Sequence, residues 1–263
     1  MPSLSVAGFA FLFSLGVGSP VGLASLVGFA VLLQQFSVGL SNDWLDVARD
    51  KEVGRKDKPA AKEEISATAV RNWSIVSGFA ALALALLFGI PATAWMLFML
   101  AVGWSYNLGL KSNWLSVLPY ALGFGILPVF VTLSMAQAVF PPAWIVMVAA
   151  LLGISAHFAN ALPDLFDDRA TGVRALPHIL GQRLSAIIIA TTALAACLIV
   201  VTQAKDLDPT TGLVGLGLTL GLAGSASVLS LRLKPPRIVF PLLILASLVN
   251  VVLLMLGTGS QVQ

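Results

Sequence analysis

Two stretches of this chain carry carboxylates at helical spacing and repeat one another without a gap at an offset of 118 residues. The first, residues 42–59, reads N-D-W-L-D-V-A-R-D-K-E-V-G-R-K-D-K-P, and the second, residues 160–177, reads N-A-L-P-D-L-F-D-D-R-A-T-G-V-R-A-L-P. Asn42, Asp46 and Asp50 align with Asn160, Asp164 and Asp168; Lys51, Gly54, Lys56 and Pro59 align with Arg169, Gly172, Arg174 and Pro177. On a helix each triplet, at i, i+4 and i+8, forms one polar stripe whose members rise about 6 Å per step. Asp43 flanks the first stripe and Asp167 the second. Gathered carboxylates repel one another unless cations join them. Mg²⁺ suits such a set, being a hard ion held by one or two carboxylates together with water and phosphate oxygens. Lys56, Lys58 and Arg174 follow the stripes closely enough to reach back to phosphate, arginine in bidentate fashion.

Each acidic stripe closes a long apolar run, and the elements that must position it are membrane helices. The chain is 58% hydrophobic and 10% charged, with a mean hydropathy of +0.94, outside the range of soluble domains. Nine apolar runs of near-bilayer length are predicted, at about 3–17, 21–41, 69–90, 92–109, 114–134, 143–163, 184–203, 211–231 and 238–257. The first lacks the charged leader and small-residue cleavage site of a signal peptide and is kept as a span. Of the 15 Lys and Arg residues, all but Lys205 then fall on one face, and ten of the 12 acids share it. That asymmetry marks the face as cytoplasmic, with the N-terminus inside and the C-terminus outside. The pI near 9.2 reflects this orientation and contact with the lipid bilayer, and no nucleic-acid partner is expected. The fold class expected is therefore all-α: a polytopic membrane helix bundle of nine transmembrane helices around a central cavity open toward the cytoplasmic face. No linker divides it, so residues 1–263 form one domain. Four spans separate the motifs, so both face the same way and can converge on one cavity. The lone cysteine, Cys197, offers no disulfide or metal cluster and reads as a packed thiol.

A carboxylate at membrane depth costs about 2.5–3.5 kcal/mol, so the stripes point to function. An allylic prenyl diphosphate suits them, with an anionic metal-binding head and a tail that belongs in lipid. Cations would stabilise the leaving diphosphate, apolar walls would shelter the allylic carbocation, and a nucleophile beside C1 would capture it. In these residues the chain resembles the UbiA superfamily of intramembrane prenyltransferases. Asn42, Asp43, Asp46 and Asp50 match its first motif, N-D-x-x-D-x-x-x-D, in full. The second motif, D-x-x-x-D-x-x-x-D, is met by Asp164 and Asp168, with Asn160 in place of the first acid. Tyr106 and Lys111, after the fourth run, match the Tyr followed by Lys typical of the family. The resemblance implies a Mg²⁺–diphosphate shell of Asn42, Asp46, Asp50, Asn160, Asp164 and Asp168, the four acids among them being catalytic. It implies phosphate contacts from Lys58, Arg174, Tyr106 and Lys111. It also implies a prenyl diphosphate donor and a small aromatic acceptor, such as a hydroxybenzoate quinone precursor, at a prokaryotic plasma membrane.

Other readings are weaker. The CDP-alcohol signature D-x-x-D-G-x-x-A-R fails because Val47 stands where its glycine belongs and Ala48–Arg49 comes one residue early. A secondary transporter would place its acids nearer the bilayer centre. His157, one turn before Asn160, reads first as a hydrogen-bonded interior histidine; His178 either caps the site or faces water. Trp44 lies inside the first motif, whereas the other tryptophans mark span ends.

Overall fold

The computed structural model describes residues 2–52, 58, 60, 62–162, 165, 175–232 and 238–258. Every regular element among them is helical: α1 Pro2–Gly16, α2 Val21–Leu45, α3 Val47–Glu52, α4 Ala67–Ala85, α5 Ile90–Asn107, α6 Val117–Leu133, α7 Ala143–Ala161, α8 Leu176–Gln203, α9 Pro209–Ser230 and α10 Val239–Gly257, with short 3₁₀ turns at Leu86–Phe88, Leu110–Ser112 and Trp114–Ser116. All helices but α3 coincide with the predicted apolar runs. Among the described residues six helices have both the length and the hydropathy to cross a membrane, and two more apolar stretches, Ser3–Gly16 and Pro241–Gly257, are shorter.

The residues turned outward are large and apolar, Phe79, Leu87, Ile90, Leu213 and Val228 among them. This reverses a soluble protein and fits contact with lipid, which rewards no burial of Leu or Phe between helices. What holds the interior is close packing around small residues: Ala30, Ala81, Ala85 and Ala92 share one buried cluster with Phe13, Val31, Met96, Phe130 and Ile145. A second cluster, containing Phe158, Ile189, Ala226 and Leu243, ties α7 to α8, α9 and α10. Neighbours in sequence pack together, and α1 closes the ring by touching both α6 and α10.

Gly153 shows how tight that packing is. A Cβ there would stand 2.5 Å from the Tyr120 carbonyl oxygen and 2.8 Å from Phe124 Cβ. Overpacking of this kind costs about 1–3 kcal/mol. Gly153→Ala is expected to lower the melting temperature in detergent by roughly 3–8 °C; an unchanged Tm would show that α6 and α7 are less closely apposed than described.

Two boundaries depart from the apolar pattern, for identifiable reasons. α2 runs four residues past the predicted end at 41. Its 25 residues span about 37 Å, more than the ~30 Å hydrocarbon layer, so its last turn carries Asn42 and Asp43. The helix predicted from 184 begins instead at Leu176, with a break at Gly181, where φ is 74° and ψ 175°. Only glycine adopts that conformation readily, and it lets a short turn after the second motif change direction before the span.

Candidate active site

The polar end of α2 is fixed by hydrogen bonds from its neighbours. Ser74 Oγ on α4 donates to the Ser37 carbonyl at 2.7 Å, and Trp104 Nε1 on α5 donates to Ser37 Oγ at 3.1 Å. One turn on, Asn107 Nδ2 donates to the Val38 carbonyl at 2.8 Å and to Ser41 Oγ at 2.7 Å. Isolated polar side chains in an apolar bundle thus pin α2 to α4 and α5. The ends of α2 and α5 are held in register as a result.

Helical hydrogen bonding continues across the junction of α2 and α3. Asp46 N–H donates to the Asn42 carbonyl at 3.0 Å, and Asp50 N–H to the Asp46 carbonyl at 2.8 Å. The predicted stripe therefore survives a change of helix. Asp46 and Asp50 are buried, at 8% and 4% exposure. Lys111 reaches the stripe from the 3₁₀ turn after α5: its Nζ donates to Asn42 Oδ1 at 3.0 Å and to both carboxylate oxygens of Asp46 at 2.6 Å. Arg49 Nη2 approaches Asp46 Oδ2 at 3.4 Å. Lys58 pairs with Asp43. Glu63, outside the membrane, is held below the usual carboxylate range by its hydrogen bond from Lys51.

These groups line the mouth of a cavity of about 890 Å³, which extends past Tyr106, Tyr120, Phe124 and His157 to Gln34, Met99 and Leu127. Gln34 lies twelve residues before Asp46 on the same helix, so the cavity is roughly 18 Å deep along α2. Charge sits at one end and aromatic and aliphatic walls at the other. Tyr106 packs edge-on to Tyr120 with centroids 5.3 Å apart, and Tyr120 lies 4.8 Å from the His157 ring.

Asn42, Asp43, Asp46, Lys58, Tyr106, Lys111 and Asn160 all line this one cavity. The two repeated motifs thus both reach it, through Asn42 from α2 and Asn160 from α7. Asp164, Asp168 and Arg174 lie outside the described residues, as does Lys56. Asp50 is buried beside the mouth in α3. His178 is also buried and lines the cavity, and His157 is an interior, hydrogen-bonded histidine. Trp44 packs on Trp104 at 6.4 Å. The residues that sequence reasoning missed are Tyr120, Ser116 and Asn107; the first carried a signal, since the chain has two tyrosines in all and both face this cavity.

The donor set suits a hard cation. The Lys111 ammonium already occupies a point where one amide and two carboxylate oxygens converge, and the same oxygens are the ligands Mg²⁺ prefers. Among the described residues no three His, Cys, Asp or Glu side chains come together, so further ligands must come from substrate or from the second motif.

The UbiA prenyltransferase family model matches residues 3–248. The chain belongs to the UbiA prenyltransferase family. Solved structures agree on the fold. A UbiA homologue from Aeropyrum pernix K1 in its apo form superposes with a TM-score of 0.72 at 15% identity, covering 95% of each chain. A UbiA homologue from Archaeoglobus fulgidus bound to GPP and Mg²⁺ gives 0.71 at 15% identity, again with 95% of each chain covered. A structure of digeranylgeranylglyceryl phosphate synthase gives 0.67 at 14% identity, with 97% of this chain and 92% of that chain covered. No curated protein matches the chain by sequence. UbiA membership accounts for the all-helical membrane bundle and for the placement of the first acidic motif at a cavity mouth.

Proposed function

We propose that this UbiA-family chain transfers a prenyl group from an allylic prenyl diphosphate to an aromatic acceptor of the hydroxybenzoate or naphthoate type. The observation that carries this reading is the convergence of Asn42, Asp46 and the part-buried Lys111 ammonium at the head of a deep, largely apolar cavity. The diphosphate belongs at that head and the prenyl tail along Met99 and Leu127. Asn42, Asp46, Asp50, Asn160, Asp164 and Asp168 would hold Mg²⁺, which supplies charge neutralisation to the leaving diphosphate. Structures of a UbiA homologue from Archaeoglobus fulgidus, bound to GPP and Mg²⁺ and to DMAPP and Mg²⁺, support this assignment.

The chain's own groups then divide the work. Lys111, Lys58 and Arg174 bind diphosphate oxygens, with Lys111 and Lys58 released from Asp46 and Asp43 as substrate enters. Asp43 orients Lys58. Tyr106 stands between head and wall, within reach of phosphate at its hydroxyl end. The C1–O bond breaks with its electron pair leaving on diphosphate; C1 bonds to the acceptor carbon, and the acceptor gives up one proton. The aromatic walls exclude water that would otherwise capture the cation.

The cavity draws on α1, α2, α5, α6 and α7 together, which supports one functional domain over 1–263. The charge distribution supports an orientation with the N-terminus and the site cytoplasmic and the C-terminus outside, and the location proposed with it is a prokaryotic plasma membrane. Mass spectrometry of purified protein incubated with labelled geranyl diphosphate and 4-hydroxybenzoate or 1,4-dihydroxy-2-naphthoate tests the reading. A geranylated ring with stoichiometric diphosphate is the expected product, and intact donor with every acceptor would refute it. In the same assay Lys58→Ala and Arg174→Ala are each expected to raise the donor KM by about tenfold or more, the loss of one charge-assisted hydrogen bond. An unchanged donor KM in both would remove them from the site.

A further inference from the structure

His157 is the interior polar group of the cavity wall that the phosphate-handling residues leave unexplained. It lies on α7, one turn before Asn160, and is 2% exposed. Its Nε2 stands 3.1 Å from Ser116 Oγ. Ser116 Oγ in turn accepts the Leu176 backbone N–H at 3.0 Å. A backbone amide can only donate, so one role of the serine oxygen is fixed. The oxygen keeps a second lone pair, but its own proton has Nε2 as its one acceptor among the described residues. An imidazole that accepts at Nε2 carries its proton on Nδ1. Nδ1–H makes no hydrogen bond among the described residues, and His157 lines the cavity.

The surroundings say what that donor meets. The ring clusters with Tyr120, 4.8 Å away, and Tyr106, 6.2 Å away, which are 5.3 Å from each other. Phe124 stacks on Tyr120 at 6.3 Å with planes 12° apart. Aromatic rings grouped beside one neutral donor suit a planar ring that bears an oxygen. Diphosphate is better served by the cations at the cavity mouth.

We infer that His157 is a specificity-determining residue that donates its Nδ1–H to an oxygen substituent of an aromatic acceptor, and that Ser116 is the positioning residue that sets the donor tautomer. This rests on the reading of the cavity as a prenyl-transfer site. Ser116 also joins the acceptor wall to the first residue of α8, at the end of the second repeated stretch, so acceptor and diphosphate subsites share one mechanical link.

Three variants and one spectrum test it. With geranyl diphosphate and 4-hydroxybenzoate or 1,4-dihydroxy-2-naphthoate, His157→Phe keeps an aromatic ring but removes the donor. It should raise the acceptor KM about tenfold or more while donor KM stays within about twofold. His157→Asn places an amide N–H near the Nδ1 position and should recover most of that loss. Ser116→Ala should raise acceptor KM less and mix the two tautomers. Nitrogen NMR of the labelled wild type reads the tautomer directly, because the chain has two histidines and His157→Asn identifies one of them. The Nδ1–H form is expected, with its resonance moving on addition of 4-hydroxybenzoate. An Nε2–H form, an unmoved resonance, or equal rises in donor and acceptor KM would overturn the inference. Diphosphate release without prenylation of either aromatic probe would overturn it too, yet leave prenyl-donor cleavage intact. Absence of any diphosphate release would instead refute the functional reading beneath it.

Discussion

Asp46→Ala is expected to cut prenyl-transfer turnover by at least about a hundredfold, the scale on which removal of one electrostatic stabiliser of a leaving group acts. Asp46 is the hub of the head group: it holds Lys111 through both oxygens and meets Arg49. Its loss would remove a proposed metal ligand and leave the Lys111 ammonium without its carboxylate partner, with only Asn42 Oδ1 beside it. Asp164→Ala in the second motif should be equally damaging if both motifs hold the same substrate. Both variants should still insert and remain folded; for Asp46, the packing clusters among the described residues do not include its side chain. Comparing kcat in reconstituted membranes, with yield and Tm as controls, reads the effect. Near-normal turnover in either variant would contradict the assignment.

Removal of divalent metal should be the larger effect still. The described carboxylates at the cavity mouth are those of Asp43 and Asp46, and both are already paired with lysines. A diphosphate brings several negative charges to this place, more than Lys58 and Lys111 can balance while they also neutralise aspartates. A chelator is therefore expected to reduce turnover to below about 1% of the starting rate, with recovery on addition of Mg²⁺ and not of Na⁺. Turnover that persists in chelator would mean that lysine and arginine alone bear the leaving-group charge.

The sequence makes the first motif legible because i, i+4, i+8 spacing is a property of the helix itself. Asn42, Asp46 and Asp50 keep that register even though α2 gives way to α3 at Asp46. The apolar runs likewise mark where the bundle helices lie. Lys111 was reachable only through its position after a tyrosine, since its approach to Asp46 is made by a turn 65 residues away in sequence. Ser116 and Asn107 were not legible, and Tyr120 was so only through the scarcity of tyrosine in the chain. Each is a single polar or amphipathic residue in an apolar run, and its meaning comes from a partner on another helix. The early start of α8 was hidden for a different reason: Gly181 breaks the helical path, so the turn at 176–180 lacks the continuous apolar pattern of the span that follows. The depth of the cavity was hidden as well, because Gln34 and Gln35 sit inside an apolar run and only the placement of α1, α5, α6 and α7 around the same cavity makes their side of α2 a wall.

The central claim is that the two repeated acidic motifs hold one diphosphate between them. Anomalous diffraction from crystals grown with Mn²⁺ and geranyl S-thiolodiphosphate tests it most directly. Manganese peaks at the cavity mouth, contacted by Asp46 from one side, by Asp164 from the other and by diphosphate oxygens between, are the expected result. Diphosphate bound away from the cavity mouth, or metal held by one motif with the other turned to solvent, would contradict it.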